Sequence, residues 1–143
     1  MSAYFDSAYI AKCYVNEPDS APVRALLRAS GGAQSSSLAR AEVAATVLRH
    51  LREGALNQKQ ASVLQTDFVR DVSAGVWTML PVSDDFIARV AERLARMPAA
   101  THIRAGDAIH LCAANEAGFT EIWTNDRHMI GAGPAFGLRG RSV

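Results

Sequence analysis

Cysteine is scarce in this 143-residue chain: only Cys13 and Cys112 occur. They lie far apart among apolar neighbours and form no CxxC pair. That excludes a disulfide-dense scaffold and reads as buried, reduced thiols. No stretch reaches the roughly 18 consecutive apolar residues of a membrane span. The opening MSAYFDSAYIAKCYV places Asp6 early and Lys12 late, the reverse of a signal peptide. The expected setting is cytoplasmic, with no membrane partner.

Other chemistries lack their anchors. His50, His102, His110 and His128 fall in no zinc-ligand spacing. There is no GxSxG elbow for a Ser-His-Asp hydrolase. Gly131, Gly133 and Gly137 follow a helix rather than a strand, in the wrong spacing for a dinucleotide loop, so no organic cofactor is expected. Lysine is rare too: 13 of the 15 basic residues are arginine, the exceptions being Lys12 and Lys59. Arginine contacts phosphate bidentately, which suits a nucleic-acid partner, although a GC-rich gene gives the same bias. The formal charge of +1 does not by itself announce such a partner.

What is present is ordinary globular composition, 49% hydrophobic and 20% charged, in a length suited to one domain spanning residues 1–143. Short apolar runs alternate with helical stretches, which predicts an α/β fold with a short, mainly parallel sheet flanked by helices. Strands are expected at 3–5, 33–37, 76–82 and 121–124, with an edge strand near 139–143. Helices are expected at 7–16, 19–30, 38–53, from Asn57 to about Ala74, at 84–97 and 105–117, and briefly from Asp126. Asn57 with Gln60 resembles a capping box. Val43, Val47, Leu48 and Leu51 form one apolar stripe, and Val63, Leu64, Phe68 and Val72 another.

Four acids stand in awkward places. Asp6 follows the apolar Ala3-Tyr4-Phe5, and Asp126 follows Ile122-Trp123-Thr124. Both fall at carboxyl ends of expected parallel strands, where open α/β sheets place ligands. Asp107 interrupts an apolar helix start, and Glu42 precedes the stripe of another helix. Singly, each is explained by capping or solvent exposure. Together they suggest convergence. Two carboxylates about 4 Å apart repel by roughly 4 kcal/mol at an effective dielectric near 20, so a cluster of four requires a cation. All-oxygen donors select Mg²⁺ or Mn²⁺ over zinc. Setting those four aside leaves 15 basic against 10 acidic residues, a surface attractive to a polyanion.

Four blocks carry a resemblance. They are Tyr4-Phe5-Asp6-Ser7-Ala8, Ser35-Ser36-Ser37-Leu38-Ala39-Arg40-Ala41-Glu42-Val43, Arg104-Ala105-Gly106-Asp107-Ala108-Ile109-His110-Leu111 and Thr124-Asn125-Asp126-Arg127. In this order and chain length they resemble the PIN domain, and within it the VapC-type toxins of toxin–antitoxin pairs. The resemblance implies a Rossmann-like sheet and Mg²⁺- or Mn²⁺-dependent endoribonuclease activity, with Asp6, Glu42, Asp107 and Asp126 as catalytic and metal-binding acids. It also implies a homodimer and a small, VapB-like cognate antitoxin. Asn57–Met97 matches no motif.

Around the acids, Ser7, Thr124, Asn125 and His110 are candidates to orient a carboxylate or water, with Ser37 a weaker one. His110 shares a helix face with Asp107 and is expected either to contact that acid or substrate, or to be a satisfied core histidine. Arg40, Arg104 and Arg127 are candidates for RNA phosphate, Arg104 equally for a surface salt bridge. The acids do not distinguish RNA from DNA. A solitary PIN nuclease and a non-catalytic RNA-binding PIN domain are the alternatives.

Overall fold

Strand β1 (Ala3–Tyr4) is two residues long, yet it occupies the centre of the sheet. The computed structural model describes residues 2–143. From β1 the chain runs through helices α1 (Ser7–Tyr14) and α2 (Ser20–Ala29), strand β2 (Ala33–Ser36), helices α3 (Leu38–Arg52) and α4 (Gln58–Ser73), and strand β3 (Trp77–Leu80). It continues through α5 (Asp84–Ala95), α6 (Ala105–Glu116), β4 (Glu121–Trp123), α7 (Arg127–Ala132), a 3-10 turn (Gly133–Phe136) and β5 (Arg139–Arg141). β2 pairs in parallel with β1 and β3, and β4 with β5. A parallel bridge from Phe5 to Trp123 lays the second pair beside β1, so the strand order is 3-2-1-4-5.

Successive side chains of a strand face opposite ways. Tyr4 therefore enters one core, with Phe86, Val90, Leu111, Ile122 and Phe136. Phe5 enters the other, with Tyr9, Ile10, Val23, Val43 and Trp77. Helices cover both faces, as an all-parallel sheet requires. Asp6 comes next in the chain and stands at the sheet's carboxyl edge.

Local chemistry sets the helix boundaries. The capping box of α4 is present: Asn57 Oδ1 accepts from the Gln60 amide at 2.8 Å, and Gln60 Oε1 accepts from the Asn57 amide at 2.9 Å. The Ser83 hydroxyl caps α5. Gly54, ending α3 at φ 79°, adopts the left-handed turn that glycine enters without a Cβ clash.

Several expectations need correction. The strands are shorter than their apolar runs: β3 stops at Leu80 and β2 at Ser36, and β1 ends at Tyr4 with Phe5 held only by the bridge. Helix α1 ends at Tyr14 rather than Asn16, because Val15 turns to extended backbone. A 3-10 turn, Gly133–Phe136, fills the segment between α7 and β5, for which no element is expected. Leu48 and Val63 do not reach the core; they are 58% and 51% exposed. The core on that face reaches Val43 of α3 and Phe68 of α4. Nearer their connection the two helices run past the core, so the apolar stripe continues without a buried partner. Both cysteines are free thiols: Cys112 is buried and Cys13 half-buried. Burial pushes the Cys13 thiol up to about 12, keeping it protonated at neutral pH.

Candidate active site

The carboxyl edge is built from helix starts. Asp6 caps α1, its Oδ1 accepting from the Tyr9 amide at 2.8 Å. Asp126 caps α7, its Oδ1 accepting from the amides of His128 at 2.8 Å and Met129 at 3.2 Å. Asp107 lies in the first turn of α6, its Oδ2 accepting from the Arg104 amide at 3.3 Å. The capping explanation of each aspartate is thus correct, and it is compatible with convergence. At Asp6 and Asp126 the cap uses Oδ1 and leaves Oδ2 for another partner.

Arg104 links two of these acids. Its Nε donates to Asp107 Oδ2 at 3.3 Å and its Nη2 to Asp126 Oδ2 at 3.1 Å. The guanidinium is therefore turned onto carboxylates, the salt-bridge alternative of the sequence, rather than offered outward to phosphate. Arg40 and Arg127 are exposed, and among the described residues neither forms an ion pair.

Asp6 is 3% exposed. Burial pushes its carboxyl above the usual range, the Thr124 hydroxyl and the Tyr9 amide pull it back, and the negative charge of Asp126 raises it further. The Asp6 amide donates to the Trp123 carbonyl at 3.1 Å, so the two strand-end acids follow adjacent strands.

Glu42 reaches the site by another route. His110 Nε2 lies 2.7 Å from Glu42 Oε1, and His110 Nδ1 lies 2.9 Å from the Tyr4 hydroxyl. The Ser36 amide donates to that same hydroxyl at 3.0 Å. Burial drives the Tyr4 phenol far above its ordinary value, so it keeps its proton. With a neutral imidazole, Tyr4 donates to Nδ1 and Nε2–H donates to Glu42. His110 is thus a satisfied core histidine whose partner is Glu42, not Asp107. Glu42 Oε2 points toward Gly106, where an added Cβ would stand 3.6 Å away.

The other candidates divide. Thr124 is fully buried and accepts from the Asp126 amide at 2.9 Å. Asn125 is tied elsewhere, accepting from the Tyr9 hydroxyl at 2.9 Å and donating to Asp19 at 2.8 Å, so it fastens the β4–α7 connection to α1 and α2. Ser7 and Ser37 are half-buried at the starts of α1 and α3. Tyr4 is the residue that sequence reasoning missed. Its position before Asp6 signals a buried strand residue, but not a hydroxyl holding a histidine 106 positions away.

All donors at this edge are carboxylate oxygens, the set a hard divalent cation requires. As the side chains stand, no three His, Cys, Asp or Glu groups among the described residues gather around one point. The Arg104 guanidinium instead bridges Asp107 and Asp126, a cationic group where two carboxylates need one. The donor chemistry therefore fits a divalent ion, with Arg104 as its internal competitor.

None of the curated proteins matches the sequence. Among solved structures, the chain is similar to Mycobacterium tuberculosis VapC20, described as a sarcin-ricin loop cleaving toxin. The likeness has 15% identity and a TM-score of 0.72, and covers 92% of this chain and 95% of that one. It is also similar to FitAB bound to an IR36 DNA fragment, at 18% identity and a TM-score of 0.67, over 98% of this chain and 94% of that one. At these identities the likeness establishes the fold. The PIN domain family matches residues 3–132, nearly the whole of the five-stranded sheet and its helices, and the chain belongs to that family.

Proposed function

We propose that this chain is a metal-dependent endoribonuclease acting as the toxin of a toxin–antitoxin pair. The observation that supports the reading is that Asp107 and Asp126 share the Arg104 guanidinium, while Asp6 and Asp126 follow neighbouring strands at the carboxyl edge of the sheet. Asp6, Asp107 and Asp126 are the residues to hold Mg²⁺ or Mn²⁺. When bound, the ion supplies Lewis-acid stabilisation of charge on the phosphate and a more acidic water.

The chain's own groups do the rest. His110 fixes Glu42 through Oε1, leaving Oε2 to accept a proton from the attacking water. The water oxygen forms a bond to phosphorus as the bond to the 3′ oxygen breaks, and that oxygen takes a proton from solvent. The products carry a 5′-phosphate and a 3′-hydroxyl. Thr124 holds the Asp126 backbone, keeping that carboxylate at the edge. Arg40 and Arg127, exposed and without ion pairs among the described residues, are the phosphate contacts, and Arg104 joins them once it leaves its carboxylates.

A small antitoxin and a second copy of the chain are the protein partners of this reading. The groove of about 570 Å³ between the end of α1 and the α3–α4 connection, with exposed Leu48 and Val63 on the same helices, offers apolar surface for such contacts.

Digestion of structured RNA by the isolated chain in Mg²⁺, Mn²⁺ or EDTA, beside Asp107→Asn, tests the activity. Cleavage that needs metal and is lost in the variant is the expected result. Unimpaired cutting by Asp107→Asn would overturn the assignment, and preferential cutting of DNA in a parallel digest would change the substrate.

A further inference from the structure

Two histidines without a role in the acidic centre stand beside it. His102 lies in the α5–α6 connection and is exposed; His128 is the second residue of α7 and half-buried. Their ring centroids are 5.8 Å apart and their planes are inclined by 34°. The pair lines two adjoining hollows of about 370 Å³ each. Thr101, Ile103 and Arg104 complete the first, and Arg127 borders the second. This volume is within the range of small-ligand sites.

The hollows share residues with the acidic centre. Arg104 lines the first while its guanidinium rests on Asp107 and Asp126. The His128 amide donates to Asp126 at 2.8 Å, which fixes that residue against the same acid. A metal role for the imidazoles is unsupported, because no third His, Cys, Asp or Glu among the described residues joins them. What they offer is flat, polarisable surface next to guanidinium, with a hydroxyl and one aliphatic side chain. Proteins recognise unpaired RNA bases with such surfaces, stacking them on aromatic rings and on arginine planes.

We infer that the His102–His128 pair is a nucleobase subsite, stacking an unpaired base of the RNA whose neighbouring phosphate lies at the carboxylates. The inference rests on the nuclease reading of those carboxylates and adds where the substrate is gripped. It places the grip on the α5–α6 connection and the start of α7, away from the α3–α4 groove. The stacked base fixes which phosphate reaches the acids, so the pair contributes to the choice of cleavage position.

Carbon–proton spectra of the four histidine rings, recorded on the full chain in EDTA with oligoadenylate or oligouridylate added, test this directly. The ring signals of His102 and His128 should shift upfield, while His50 in the remote groove and buried His110 stay in place. His128→Ala should weaken oligonucleotide binding by about fivefold to a hundredfold, the range for loss of one base–aromatic stack. His128→Phe should retain it, as should His102→Phe at the exposed position. The salt slope should be unchanged in these variants, and shallower by about one in Arg127→Ala. Unmoved His102 and His128 signals, or a Phe variant as weak as the Ala variant, would overturn the subsite. Metal-dependent cutting alongside that result would leave the nuclease reading standing. Shifted rings in a chain that never cuts would do the reverse.

Discussion

The acidic edge and the α3–α4 groove are opposites in how they treat polar groups. At the edge, Asp6, Asp107, His110 and Thr124 are buried, and each is engaged by a cap, a clamp or a neighbouring hydroxyl. In the groove, His50 Nε2 is buried without a hydrogen-bond partner among the described residues, 3.9 Å from Glu17, while Leu48 and Val63 face solvent on the surrounding helices. An unmet polar atom beside exposed apolar surface is an energetic cost that the acidic edge avoids. The comparison separates two demands. Chemistry requires side chains fixed to within a fraction of an ångström, whereas contact with another chain tolerates a surface left incomplete until it is covered.

Substitutions can break this contrast or sharpen it. The largest effect should come from Asp107→Asn, which keeps the shape and removes the charge. RNA cleavage rates should fall by about a hundredfold or more, the scale on which electrostatic stabilisation of a transition state is lost. His110→Ala attacks the clamp rather than the acids. It should lower the cleavage rate by about tenfold to a hundredfold, as loss of a group orienting an active-site ligand does. It should also cost about 1–3 kcal/mol of stability in a urea titration, because the Tyr4 hydroxyl loses a buried partner.

Asp6→Asn should separate activity from stability. Burial holds the Asp6 acid above its ordinary range in the folded chain. The folded state therefore binds that proton more tightly than the unfolded state does. Its stabilising contribution is complete below the ordinary carboxylate range and is lost as pH rises through the elevated value. In EDTA, the asparagine variant should gain on the native chain as pH rises from acid to neutral, while losing nuclease activity. Urea midpoints measured across that range check the sign, and a constant difference would refute it. In the groove, Val63→Ser should change stability by no more than about 0.5 kcal/mol, as an exposed position predicts. A larger loss would mean that the groove is part of the core after all.

The same contrast explains what the sequence made legible. Asp6 and Asp126 were readable because each ends a short apolar run, and Asn57 with Gln60 because a capping box is local. Asp107 and Glu42 stood out as charges on apolar helices. The Tyr4–His110–Glu42 chain was not readable, since it joins positions 68 and 106 residues apart through packing alone. Arg104 had two plausible fates, and only the position of α6 beside α7 decides for the carboxylates. Leu48 and Val63 misled because helical periodicity reports an apolar face and not whether anything covers it.

The central position of β1 has a consequence for the timing of synthesis. Tyr4, Phe5 and Asp6 leave the ribosome well before their neighbour Trp123 and their fellow acid Asp126. Domains form from the amino terminus as the chain emerges. Strands β1, β2 and β3 can pair early, but one side of β1 stays open until β4 and β5 arrive to fill it. A nascent or carboxyl-truncated chain therefore has half a sheet and a divided set of acids. No activity that needs Asp6 and Asp126 together can begin until β4 has been made and paired.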